Sequence, residues 1–257
     1  MQPARAGLFV TCLVDLIRPS VGFATARLIE AAGCTVIVPE RQTCCGQPAY
    51  NSGDRATAKA LALQTVRAFA ACDFVVVPSG SCAAMLKVHY PRLFKNDTPT
   101  VQSEVSDFSM KVHELCTFLT SVCPVNELPG RYEGFVTYHD ACSGLRELGI
   151  KSAPRRLLGL MPGVEVTEMR EAEACCGFGG LFAEKYAAIS NAIVTRKADN
   201  AVASDAALLL AGDLGCLMNI AGKLTREGGA VACRHIAEVL AGELTDPPIA
   251  FGSANRP

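Results

Sequence analysis

Apolar runs rich in Val, Ile and Phe alternate along the chain with longer amphipathic stretches, the pattern of βαβ units built on a parallel sheet. In the first half the pattern predicts strands at 7–14, 35–38 and 74–77 and helices at 21–32, 54–71 and 108–121. Asp54 stands where a helix N-terminus favours an acidic residue. The second half repeats the order, with strands at 135–138, 165–169 and 207–210 and helices at 154–160, 184–203 and 235–242. The expectation is a duplicated α/β unit, with the junction at Leu128-Pro129-Gly130, where Pro and Gly punctuate the chain.

The cysteines follow the same duplication. Cys12, Cys44-Cys45 and Cys82 recur at nearly matched distances as Cys142, Cys175-Cys176 and Cys216, and each adjacent pair is followed by a glycine, Gly46 or Gly177. On the predicted elements Cys12 and Cys142 fall at or just after the first strand of a half, the pairs on the loop after the second, and Cys82 and Cys216 just after the third. These are the carboxyl ends of parallel strands, where ligands collect in open α/β sheets. Soft thiolates select iron-sulfur clusters, zinc or copper, so four converging thiols per half point to one metal site per half. Disulfide frameworks belong to short secreted chains, and neighbouring cysteines bridge each other with difficulty. Cys34, Cys72, Cys116, Cys123 and Cys233 have no counterpart in the other half and are expected in the core.

Composition narrows the function classes. With 257 residues, 50% of them hydrophobic, the chain is able to bury a core. Its 24 Lys and Arg against 25 Asp and Glu give a net charge of -1, which supplies no basic field for a nucleic acid. The opening apolar run is stopped by Asp15 and Arg18 and lacks a cleavage site, and the other apolar runs are too short for a membrane span. A cytoplasmic protein is therefore expected, in a compartment that keeps thiols free for metal. No G-x-G-x-x-G fingerprint is present, since Gly177-Phe178-Gly179-Gly180 has a different spacing, so no flavin or NAD site is expected in this chain.

The segments TCCGQPAYNSGD (43–54), VVPSGSCAAM (76–85), YHDACSGLRELGI (138–150), EACCGFGGLFAEKY (173–186) and DLGCLMNIAGKLTR (213–226) together resemble the lactate-utilisation protein A family of CCG-domain iron-sulfur proteins. That family is related to the glycolate oxidase iron-sulfur subunit and to the subunit of heterodisulfide reductase that carries the doubled CCG domain. The resemblance implies two pseudo-repeated Rossmann-like CCG units with parallel sheets flanked by helices, 1–128 and 129–257. It implies an iron-sulfur electron-transfer component of a complex that oxidises L-lactate to pyruvate with two operon-encoded partner proteins. Its ligand pattern maps onto Cys12, Cys44, Cys45, Cys82, Cys142, Cys175, Cys176 and Cys216, holding one or two clusters. The wider superfamily closes each half with C-x-x-C, giving five cysteines for a noncubane cluster that cleaves disulfides. Here Ser79 and Asp213 take the first position of that pair, so four cysteines remain per half, a set suited to a cubane [4Fe-4S] cluster.

Other readings of the same residues are an iron-sulfur subunit for glycolate or another 2-hydroxy acid, a zinc-binding scaffold, and a thiol-disulfide enzyme. Asp213 is expected as a helix cap before it is expected as an iron ligand. His139, three residues before Cys142, is a candidate for metal ligation, thiolate orientation or proton transfer, set against the commoner structural histidine. His235 and the pair His113-Glu114 are expected in equivalent helical stretches of the two halves, and Arg146 and Lys185 on solvated faces.

Overall fold

A computed structural model describes residues 2–250. Strands β1 (Arg5–Leu8), β2 (Thr35–Ile37), β3 (Phe74–Val77) and β4 (Val112–Glu114) form an all-parallel sheet in the order β2-β1-β3-β4. Strands β5 (Gly134–Tyr138), β6 (Val164–Val166), β7 (Leu208–Ala211) and β8 (Ala232–His235) repeat that order as β6-β5-β7-β8, again all parallel. Helices flank both sheets, so the α/β architecture with two parallel sheets agrees with the periodicity.

The fourth strand of each sheet departs from expectation. The predicted helix at 108–121 is a helix Pro99–Lys111, then β4, then a short helical segment starting at Leu115. The one predicted at 235–242 begins only after β8, as Ile236–Ala241. In both places the last strand residue caps the helix that follows. The Glu114 carboxylate accepts the Thr117 N–H at 3.1 Å, and His235 Nδ1 accepts the Ala237 N–H at 3.2 Å while Glu238 returns to the His235 N–H at 3.0 Å. With strand and helix joined at one capping residue, no polar break marks the boundary.

The first predicted strand, 7–14, is also too long. The chain leaves the sheet after Leu8, and Thr11 caps a helix Cys12–Ile17 by accepting the Val14 N–H at 3.4 Å. The predicted helix 54–71 is Arg55–Ala68, capped by Asp54 through the Thr57 N–H at 3.0 Å. The one at 184–203 divides into Leu181–Lys185 and Ala187–Val202.

Contacts between the halves are dense. The helix Ile236–Ala241 packs on Pro19–Ala31, and a continuous apolar cluster runs from Leu28 and Ile29 through Val136 to Val239 and Leu240. Arg18 reaches across this seam: its Nε donates to Glu238 at 2.8 Å and its Nη1 to the Pro247 carbonyl at 2.7 Å. Nearer the carboxyl edges, Gly80 N–H donates to the Gly212 carbonyl at 3.2 Å, and a Cβ on Gly80 would lie 3.0 Å from the Gly144 Cα. Glycine at this crossing lets two backbones meet.

Candidate metal centre

Each half delivers four thiols from three strand ends. Cys12 opens the helix after β1, Cys44 and Cys45 lie on the loop after β2, and Cys82 lies in the first turn of the helix Gly80–Ala84 after β3. Cys142, the pair Cys175-Cys176 and Cys216 take the same places after β5, β6 and β7. Gly46 and Gly177 adopt φ of 80° and 82°, a left-handed turn that favours glycine. That turn folds the glycine N–H back onto the sulfur two residues earlier, 3.4 Å from Cys44 and 3.3 Å from Cys175. The adjacent-cysteine-glycine motif is thus a small device that sets two sulfurs against the cavity and donates a backbone hydrogen bond to the first.

Within each quartet neighbouring thiols act on one another electrostatically. Cys44 is hydrogen-bonded to Cys12 and Cys45, and Cys45 in turn to Cys82. Cys175 is bonded to Cys142 and Cys176, and Cys176 to Cys216. These bonds converge on one sulfur per half. Donation from Cys12 and Cys45 holds the Cys44 thiol down at about 2, and donation from Cys142 and Cys176 holds Cys175 down at about 2. Their partners pay the electrostatic penalty. The hydrogen bond to Cys44 and then burial push Cys12 up, and the matching bond to Cys175 and burial push Cys142 up. Thiols that interact pairwise in this way resist ionising together, whereas a bound cationic centre would displace the protons and neutralise the charge.

Both quartets line a single cavity of about 420 Å³, whose walls are largely apolar and include Phe178 and Leu181. The second-half wall is tightly built, because a Cβ on Gly215 would lie 2.5 Å from the Phe178 ring. A larger surface groove of about 620 Å³ beside Arg41, Gln64 and Arg67 contains no thiol. All 13 cysteines are free of disulfides. Of the five expected in the core, Cys34, Cys72, Cys116 and Cys233 are buried, and Cys123 is half-buried with its sulfur 3.7 Å from that of Cys34.

Two polar residues at the site have roles that spacing alone did not reveal. Asp213 occupies the N-cap position of the helix Leu214–Arg226 but makes no side-chain cap there. Its carboxylate instead crosses to the first half, accepting from Ser79 Oγ at 3.1 Å and from the Ser81 N–H at 3.0 Å. Ser79 completes the bridge by accepting the Cys82 N–H at 3.3 Å. The two positions that replace cysteine in the wider pattern thus bond to each other, and capping is corrected from the residue's own helix to that of the opposite half. Lys197, 1% exposed, places its ammonium on the carbonyls of Glu171 and Ala172, just ahead of the Cys175-Cys176 loop.

His139 is fully buried, and burial, reinforced by the Lys197 charge, pushes it down to about 3, so the ring is neutral at physiological pH. One of its ring nitrogens lies with the Cys176 and Cys216 sulfurs in a group whose donor atoms are all within 4.8 Å of one another. His235, by contrast, is used as a helix cap, and Arg146 and Lys185 are exposed.

The geometry has a counterpart among known proteins. The Cysteine-rich CCG domain matches residues 6–87 and again 136–221, so each match ends beyond the last cysteine of a quartet. A protein from Geobacillus kaustophilus called Lactate utilization protein A is 47% identical over 92% of this chain and 98% of its own length. The chain belongs to the lactate utilization protein A family. Members bearing that name from Geobacillus thermodenitrificans and Oceanobacillus iheyensis are 46% and 43% identical over 92% of the chain. A crystal structure of a hypothetical protein from Helicobacter pylori shares the fold, with a TM-score of 0.67 at 11% identity. That likeness covers 93% of this chain and 48% of the other. Among the described residues of this family member, no helix is long and apolar enough to cross a membrane.

Proposed function

We propose that this chain is the iron-sulfur electron-transfer component of a complex that oxidises L-lactate to pyruvate. The observation that carries the proposal is the convergence of two thiol quartets on one cavity, in a chain whose relatives are named for lactate utilisation. Cys12, Cys44, Cys45 and Cys82 of the unit 1–128 would hold one [4Fe-4S] cluster, and Cys142, Cys175, Cys176 and Cys216 of the unit 129–257 a second. The donor chemistry supports this: all eight are soft sulfur ligands, and the Gly46 and Gly177 N–H groups donate to sulfur, as is common around protein-bound clusters. Bound there, such clusters supply single-electron transfer.

Lactate oxidation removes two electrons, and the sequence carries no G-x-G-x-x-G fingerprint, so removal of hydride is assigned to a partner. The chain's own residues organise the relay. Asp213, Ser79 and Ser81 lock the two sulfur-bearing loops together across the seam, and Phe178 and Leu181 give the cavity an apolar wall beside the sulfurs. Two operon-encoded proteins would complete the complex in the cytoplasm.

The test is reduction by substrate. Anaerobically reconstituted chain mixed with L-lactate alone should keep its visible spectrum, and should bleach only when the partner proteins are added. Turnover of lactate by the isolated chain with an artificial acceptor would overturn the assignment.

A further inference from the structure

The two quartets share their sulfur arrangement but differ in one neighbour. Three residues before Cys12 stands Phe9, and three residues before Cys142 stands His139. The backbones are equivalent: the Phe9 N–H donates to the Val76 carbonyl at 2.9 Å and the His139 N–H to the Leu210 carbonyl at 2.8 Å, each just beyond the first strand of its half. Phe9 packs against Phe69 with ring centroids 5.8 Å apart, an ordinary core contact. His139 is 0% exposed, and neither ring nitrogen has a well-formed hydrogen bond among the described residues, the Ala172 carbonyl being the backbone acceptor within its reach. Lys197, whose charge acts on the ring, already places its ammonium on the Glu171 and Ala172 carbonyls.

Leaving a buried imidazole without a well-formed partner is costly. A neutral imidazole always carries one N–H, whichever nitrogen holds it. The ring nitrogen that lies with the Cys176 and Cys216 sulfurs faces the place where the second centre would be held. We propose that His139 donates this N–H to sulfur of the second metal centre and so raises its reduction potential above that of the first, where Phe9 offers no donor. The proposal rests on reading the quartets as [4Fe-4S] sites, in which four thiolates already supply one ligand per iron and leave the imidazole as a donor to sulfur. A hydrogen bond to sulfur stabilises the reduced, more negative state, which raises the potential. The chain then has a built-in order: electrons settle on the second centre, and the direction of flow through the cavity is fixed by one side chain.

The test is an anaerobic redox titration followed by EPR on reconstituted wild type, His139→Phe and His139→Gln. All three should hold the same iron. The Phe variant, which copies the first half, should show one midpoint potential shifted downward and the other unmoved, and the Gln variant, which keeps an N–H donor, should recover most of the shift. Unmoved potentials in the Phe variant would overturn the proposal, and loss of half the iron in both variants would make His139 a ligand and overturn it as well. A wild type that takes up no iron would instead defeat the reading of the quartets. Should the Phe variant not fold, wild-type protein labelled with 15N-histidine decides: a weak nitrogen coupling on one reduced cluster, changed by the label, supports the N–H contact. The absence of any such coupling contradicts it.

Discussion

Cys176→Ser, reconstituted anaerobically with iron and sulfide, is expected to hold half the iron of the wild type, and Cys45→Ser to lose the other half. Cys45 and Cys176 are the interior members of their quartets, 2% exposed, each bonded to the neighbouring cysteine and to the cysteine after the third strand. A serine oxygen is hard and far more reluctant to ionise, so it replaces a soft thiolate poorly. Because every thiol–thiol bond described runs within a half, the two losses should add, and the double variant should bind no iron. Either single variant losing all its iron would mean that the shared cavity holds one centre built from both halves.

Arg18→Ala is expected to destabilise the protein by about 3–5 kcal/mol, the usual cost of leaving a buried charge without its partner. The Glu238 side chain is 0% exposed and accepts from Arg18 Nε at 2.8 Å, Ser20 Oγ at 2.8 Å and the His235 N–H at 3.0 Å. Removing the guanidinium strands the carboxylate at the seam between the halves and also frees the Pro247 carbonyl. Equilibrium urea denaturation at neutral pH measures the loss, and the double variant Arg18→Ala with Glu238→Gln should recover part of it. A single variant as stable as the wild type would show that the seam does not depend on this pair.

Much of this was legible in the sequence, and the misses share a physical cause. Strands such as Phe74–Val77 stood out because a run of β-branched residues is bounded by Asp73 and Pro78. β4 and β8 did not, because Glu114 and His235 are at once the last strand residue and the cap of the next helix. The overlong first strand came from an apolar run that continues through Thr11 into the helix Cys12–Ile17. The cysteine spacing named the eight thiols that the fold brings together at the strand ends. Spacing is blind to what lies between the halves, so it gave no sign that both quartets line one cavity or that Asp213 caps the opposite half. The signal for His139 was present but faint: a polar residue at a strand end where the other half carries phenylalanine.

The most direct measurement is metal analysis of the wild-type protein purified without oxygen. Iron and acid-labile sulfide in equal amounts, a brown colour, and EPR signals of two reduced [4Fe-4S] clusters are the predicted result. A colourless protein that carries zinc, or one that takes up neither metal when iron and sulfide are supplied, would contradict the account.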